Sequence, residues 1–141
     1  MPKPPLPDAV TEFLRAANPA VIGSVRPDGS PHTAATWYLL EDDGRILVNM
    51  DATRKRLEYI RNDPRVSLTV MEEGNWYHQV TLRGRVTDLA DDPDLEGIDH
   101  LSQHYMGGDY PRVGQHRVNG WIEIESYYGW DAGQPWTGED G

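Results

Sequence analysis

ILVNMDATRKRLEYIRNDPRVSL, residues 46–68, sets an apolar run, a short turn, a helix start and a second apolar run in close succession. The helical segment is opened by Arg54, Lys55 and Arg56, an unusual choice of residues. A helix N-terminus already carries about half a positive elementary charge from its aligned peptide dipoles, so acidic residues are favoured there. An anion docked on this first turn would accept backbone N–H bonds and pair with the arginines, turning repulsion into a binding site. The competing reading is a solvated helix start, capped by Asp51 or Thr53, with Glu58 four residues after Arg54 offsetting part of the repulsion.

Composition narrows the choice. The chain has 141 residues, which fits one domain with a real core and leaves no room for a second full domain. It has no cysteine, which rules out disulfides and thiolate metal sites and suits a reducing cytosol. MPKPPLPDAV lacks the apolar core of a signal peptide, and no apolar run approaches the roughly 20 residues that span a bilayer. The expectation is a cytoplasmic protein. A formal net charge of −10 opposes attraction to nucleic acid and to anionic membranes, so neither is expected as a partner. Against that background Arg54, Lys55, Arg56, Arg61 and Arg65 form the densest positive segment, suited to a small anionic ligand.

Working outward, three domain segments are expected: a proline-rich flexible arm at 1–7, a folded domain at 8–130 and a mobile tail at 131–141. Asp8 reads as the N-cap of a helix over Ala9 to Ala17, with Val10, Phe13, Leu14 and Ala17 as its apolar stripe. AVIGSVR, HTAATWYLL and RILVNM then read as three strands joined by the turns PDGS and EDDG, forming a meander. RVSLTVME and WYHQVTLRGRVTDL are the next two strands, with Gly84 marking a bulge. Asp91, Asp92 and Pro93 introduce a helix in which Leu95, Ile98, Leu101 and Tyr105 share a face. RVNGWIEIESYYGW is the last strand, after a loop from Gly107 to Gln115. Closely spaced antiparallel strands with few βαβ units suggest a small barrel with helices on its rim.

The motifs RPDGSPH, HTAATWYLL, ILVNM, ATRKRLEYIRNDPRVSLTV and the terminal YYGW occur in order over Asp8 to Trp130. Together they resemble the pyridoxamine 5′-phosphate oxidase-like split-barrel superfamily, and within it the coenzyme F420-dependent type of flavin/deazaflavin oxidoreductase. The resemblance implies a mainly β (α+β) fold: a six-stranded antiparallel split β-barrel with flanking helices. It implies an oxidoreductase that transfers hydride from coenzyme F420 to a small organic acceptor, with FMN as the alternative cofactor. It places the cofactor ring along Thr33, Ala34, Ala35, Thr36 and Trp37 and beside Val48, Asn49 and Met50. The phosphate would meet Arg54, Lys55 and Arg56. It also implies a homodimer in which the second chain contributes contacts from Trp76 to Gln79 or from Tyr128 to Trp130. A non-catalytic carrier or sensor of a flavin-like or haem ligand is the reading from another class.

Other residues have less specific readings. His100 and His104 are four apart on one helix face, as metal ligands would be, but no H-E-x-x-H pattern completes them and no metal is expected. His32 and His78 are candidate proton donors, because imidazole titrates near neutral pH. Tryptophans at 37, 76, 121, 130 and 136 suit interfaces and ring-binding clefts, with Trp37 at the end of the ring-binding strand and Trp136 in the tail. There is no G-x-S-x-G elbow, G-x-G-x-x-G loop or Walker loop.

Overall fold

The computed structural model of the protein describes residues 1–112 and 116–135. Its elements run α1 (Asp8–Arg15), β1 (Ala20–Val25), β2 (Pro31–Thr36), β3 (Leu39–Leu40), β4 (Ile46–Asp51), α2 (Lys55–Asn62), β5 (Arg65–Glu72), β6 (Asn75–Asp91), α3 (Glu96–Met106), β7 (Arg117–Asp131) and β8 (Gln134–Pro135). The strands form one antiparallel sheet in the order β2-β1-β5-β6-β7-β4-β3, with β8 paired to β7. Pairing runs open from β2 to β3. Buried side chains from β1, β3, β4, β5, β6 and β7 nonetheless meet in one core, so the sheet curves around it.

Two expectations about the sheet need correction. The described residues hold eight strands rather than six: six of six residues or more, and the two-residue β3 and β8. The expected meander of the first three strands also does not form, because HTAATWYLL turns a corner at Trp37 and Tyr38. There the Tyr38 N–H donates to the Tyr105 hydroxyl (3.3 Å) and the Thr36 hydroxyl donates to the Trp37 carbonyl (2.9 Å). The Tyr38 ring is fully buried and its hydroxyl donates to Ala16 O (3.1 Å). Those bonds replace a continuing ladder, and β3–β4 is carried to the far end of the sheet beside β7.

β4 explains why that position suits it. Ile46, Val48 and Met50 face the main core, while Leu47 packs with Ile98 and Leu101 of α3, so both faces of the strand are covered. An unbroken apolar run is what such a strand requires. The β6–β7 pairing shifts register at Arg83/Gly84, where Gly84 suggested a bulge, but the unpaired residue there is Glu125 of β7; a Cβ at Gly84 would collide with the Glu123 carbonyl. The helix starts also shift. Pro7, not Asp8, is the N-cap of α1, and α3 begins at Glu96, after Pro93 and Leu95. Residues 1–7 lie against the sheet, where Tyr127 N–H donates to Pro2 O at 3.0 Å. Of the expected tail, 131–135 turn into β8, while Trp136 and 137–141 lie outside the described residues, as do 113–115 of the loop. Among the described residues no helix is long and apolar enough to cross a membrane.

Candidate functional site

The basic turn leads into a helix that no side chain caps. Arg54 occupies the N-cap in an extended conformation. Neither expected cap forms: Asp51 Oδ1 instead accepts from the Thr53 N–H (2.8 Å) and hydroxyl (2.6 Å), closing the turn ahead of α2. The positive end of α2 therefore keeps its full partial charge. Glu58 pairs with Lys55 at 3.6 Å rather than with Arg54. Arg56 is half-buried, and its Nε is buried with no hydrogen-bond partner. Burial, followed by the charges of Arg54 and Arg117, pulls its pKa below the usual guanidinium range.

β2 ends the sheet, so one of its edges carries backbone N–H and C=O groups unpaired by any other strand among the described residues. Next to it lies a cleft of 420 Å³ lined by His32, Ala34, Ala35, Arg54, Lys55 and Arg56. A second concavity, of 400 Å³, adjoins it through Ala35 and is lined by Thr36, Trp37 and Tyr105 among others. The Trp37 and Tyr105 rings stack there, 5.3 Å apart and within 9° of parallel. Burial pushes the Tyr105 hydroxyl up to about 12, so it stays protonated and donates to Asn18 O at 2.7 Å. A larger concavity, of 620 Å³, lies by the N-terminal arm. Its four carboxylates, Glu41, Asp42, Asp43 and Glu123, outnumber Arg15 and Arg45, so size does not mark it as an anion site.

The residues expected at the cofactor thus fall into four places. Ala34, Ala35, Arg54, Lys55 and Arg56 converge on one cleft, and Thr36 and Trp37 line its continuation. Thr33 borders a neighbouring concavity of 510 Å³ on the other side of His32. Val48, Asn49 and Met50 are buried, each no more than 5% exposed, and line none of these concavities. Gln79 pairs with Trp130 on β6, three strand spacings from β2, which is about 14 Å.

Asn49 is held in a network that the sequence did not reveal. Its amide donates to Asp92 Oδ2 (3.1 Å) and to Asn119 Oδ1 (2.7 Å), and its carbonyl oxygen accepts from Arg117 Nε (2.7 Å). Asp92 also accepts from the Gly97 and Ile98 N–H groups (both 3.0 Å), and so supplies the cap of α3 from outside the helix. The Arg117 guanidinium lies 4.9 Å from the Tyr110 ring centre, and Tyr110 meets Trp37 edge-on at 6.2 Å. Arg117 thus reaches Trp37 through Tyr110, and Trp37 stacks on Tyr105. Only Tyr105 had a sequence signal, its helical spacing, and that signal marked it as core.

Of the histidines, His32 lines the cleft with its Nδ1 3.5 Å from Ser24 Oγ. His78 packs edge-on to Phe13 at 4.7 Å and lies 3.6 Å from Glu72, away from the cleft. His100 is exposed and His104 half-buried; among the described residues no group of three or more His, Cys, Asp or Glu could hold a metal ion.

Comparison with known proteins places the fold. The family model described as pyridoxamine 5′-phosphate oxidase matches residues 6–131. No curated protein matches the chain. Among solved structures, one named F420 reductase superposes with a TM-score of 0.77 at 24% identity, covering 86% of this chain and 98% of that one. A conserved hypothetical protein of Mycobacterium tuberculosis gives 0.73 at 22% identity, covering 100% and 98%. A putative pyridoxamine 5′-phosphate oxidase of Listeria innocua gives 0.63 at 21%, covering 86% and 95%. At these identities the structural likeness speaks for the fold alone. With the sequence match across nearly the whole chain added to it, the protein belongs to the pyridoxamine 5′-phosphate oxidase family.

Proposed function

We propose that the cleft binds a phosphate-bearing flavin-type cofactor, coenzyme F420 in the first place and FMN as the alternative, and that the protein is an oxidoreductase acting on a small organic acceptor. Arg56 is the observation that carries this reading. A buried N–H without an acceptor, on a cation disfavoured by burial and by neighbouring arginines, is what a phosphate would correct. When bound and reduced, such a cofactor supplies a hydride, two electrons with one proton, to an electron-poor acceptor, and a proton from solvent completes the reduction.

The chain's own residues then have distinct tasks. Arg54 and Arg56 hold the phosphate, aided by the uncapped end of α2. The free edge of β2 offers N–H and C=O groups to the polar rim of the ring, and Ala34 and Ala35 are small enough for close approach. Trp37 and Tyr105 wall the far end against water. His32 is the imidazole placed to hold a proton at the cleft. The cofactor order follows the F420 reductase likeness, while family membership keeps FMN as the second reading.

A homodimer belongs to the same proposal. Gln79 is too far from β2 to reach the cleft of its own chain, so its contact would be made to the cleft of a second copy. Val21, Thr69, Thr81 and Tyr128 lie in one row with Ala35 on the outer face of the sheet and offer a flat surface for that copy.

Titrating cofactor-free protein with coenzyme F420 and with FMN, followed by tryptophan quenching, tests the reading. Micromolar binding is expected for F420, weakened roughly tenfold or more by Arg54→Ala with Arg56→Ala at unchanged far-UV circular dichroism. Failure of both cofactors to bind at micromolar concentration would reject it. Binding without reduction of any acceptor would favour a carrier.

A further inference from the structure

The end of the cleft away from the arginines has the opposite chemical character. Pro19, Ala20, Ala35, Trp37, Glu73 and Tyr105 are among the residues lining its 400 Å³. Trp37 and Tyr105 stack on each other in parallel, so the wall is an aromatic pair that exposes its outer faces and edges. Its two hydroxyl groups are already engaged. The Tyr105 hydroxyl donates to Asn18 O and accepts from the Tyr38 N–H, and the Thr36 hydroxyl donates to the Trp37 carbonyl. Glu73 is the single charged side chain in this lining. It stands exposed in the turn between β5 and β6, and its N–H donates to Asn18 Oδ1 at 3.4 Å, tying that turn to the loop before β1.

We infer that this concavity is a subsite for a flat aromatic acceptor, and that Glu73 sets its charge preference, favouring a cation over an anion. A planar ring extends the Trp37–Tyr105 stack on an outer face or meets it edge-on, both favoured aromatic arrangements. A positive charge gains further from the negative faces of those rings and from the Glu73 carboxylate. An anion meets that carboxylate, and with the Tyr105 and Thr36 hydroxyl protons already donated, the Trp37 indole N–H is the one neutral side-chain donor left in the lining to offset its desolvation. The basic and acidic ends thus sort ligands, directing the phosphate to Arg54 and Arg56 and the acceptor toward Glu73. Because Glu73 is exposed, its influence acts through solvent and weakens with salt.

The word acceptor rests on the cofactor reading, but binding at the subsite does not, so cofactor-free protein is used. The probes are two anthraquinones of the same ring system, one with a 2-sulfonate and one with a trimethylammonium-methyl group, measured by calorimetry. The background is Arg54→Ala/Arg56→Met, which stops the sulfonate from docking at the basic end. The cation is expected to bind about tenfold tighter at low salt, a preference that high salt reduces to within about twofold. Adding Glu73→Gln reduces the preference at low salt to the roughly twofold that remains at high salt, and adding Trp37→Leu weakens both probes. Thermal unfolding checks that each variant is folded, and Glu73 lies in an exposed turn where the change is mild. Equal affinities for the two probes at low salt, or a preference unmoved by Glu73→Gln, would overturn the inference. Selectivity for the cation in a protein that binds neither F420 nor FMN would support the subsite while rejecting the cofactor reading.

Discussion

Arg56 shows what a single residue contributes when its charge is placed against local preference. The run Arg54, Lys55, Arg56 is visible in the sequence as an anomaly at a helix start, but the sequence does not say which of the three is buried. That follows from how α2 packs on β1, which leaves Arg54 and Lys55 in solvent and draws Arg56 inward. A half-buried cation with an unpartnered N–H costs stability when no anion is bound. Arg56→Met keeps the stem and removes the charge. It is expected to raise the stability of the cofactor-free protein by about 1 kcal/mol in urea unfolding, while phosphate-dependent affinity falls roughly tenfold or more. A less stable variant would mean that Arg56 is held by interactions in the folded protein and is not waiting for an anion. Asn49 is the contrasting case: its type and strand are legible, but its partners Asp92, Asn119 and Arg117 come from 43 to 70 positions away.

At the scale of elements, helices and strands followed local pattern where the controlling contacts were local. α2 and β4 lie where the 46–68 stretch places them, because apolar run, turn and helix are neighbours in the chain. α3 was harder, since its cap is the carboxylate of Asp92, which reaches Gly97 and Ile98 across Pro93 to Glu96. Asp92 also accepts from Asn49 of β4, so it ties α3 to that strand. Asp92→Ala leaves two backbone N–H groups and one N–H of the Asn49 amide without their acceptor, at a cost of about 2–4 kcal/mol. Urea unfolding should register that loss, and hydrogen exchange should show the first turn of α3 opening before the strands do. An unchanged midpoint would show that water replaces the carboxylate without penalty. The corner at Trp37 and Tyr38 was missed for a similar reason, since Tyr105, which receives the Tyr38 N–H, lies on α3.

For the whole molecule, the sheet has one face turned to the core and one turned outward. Strand register puts Ile22, Leu68, Leu82 and Tyr127 in one row inside, and Val21, Thr69, Thr81 and Tyr128 in the next row outside. Trp76 and Tyr77 add exposed aromatic surface at the tip of β5–β6, at 67% and 63% exposure. In the proposed homodimer this outer face meets its copy beside Ala35. Thr69→Arg places a charge in the middle of that row without entering the core. Light scattering should then report monomer, with cofactor affinity falling alongside. A dimer that survives Thr69→Arg would place the interface on another face.

The sequence by itself determined the strand-rich class, the basic cluster at the start of α2 and the small residues of the strand beside it, because each rests on composition and order within a short window, while the family showed in motifs that recur in order from Asp8 to Trp130. Only the tertiary structure decided which strands are neighbours, that β4 lies beside β7 and not β2, and that Val48 and Met50 are spent on the core. It alone brought Glu73, Trp37 and Tyr105 to one concavity from the β5–β6 turn, the corner after β2, and α3. The physical reason is range. Helix periodicity, turn chemistry and charge clustering act over a few residues, whereas pairing partners, burial of a given charge and the walls of a cleft are settled by closure of the whole sheet around its core.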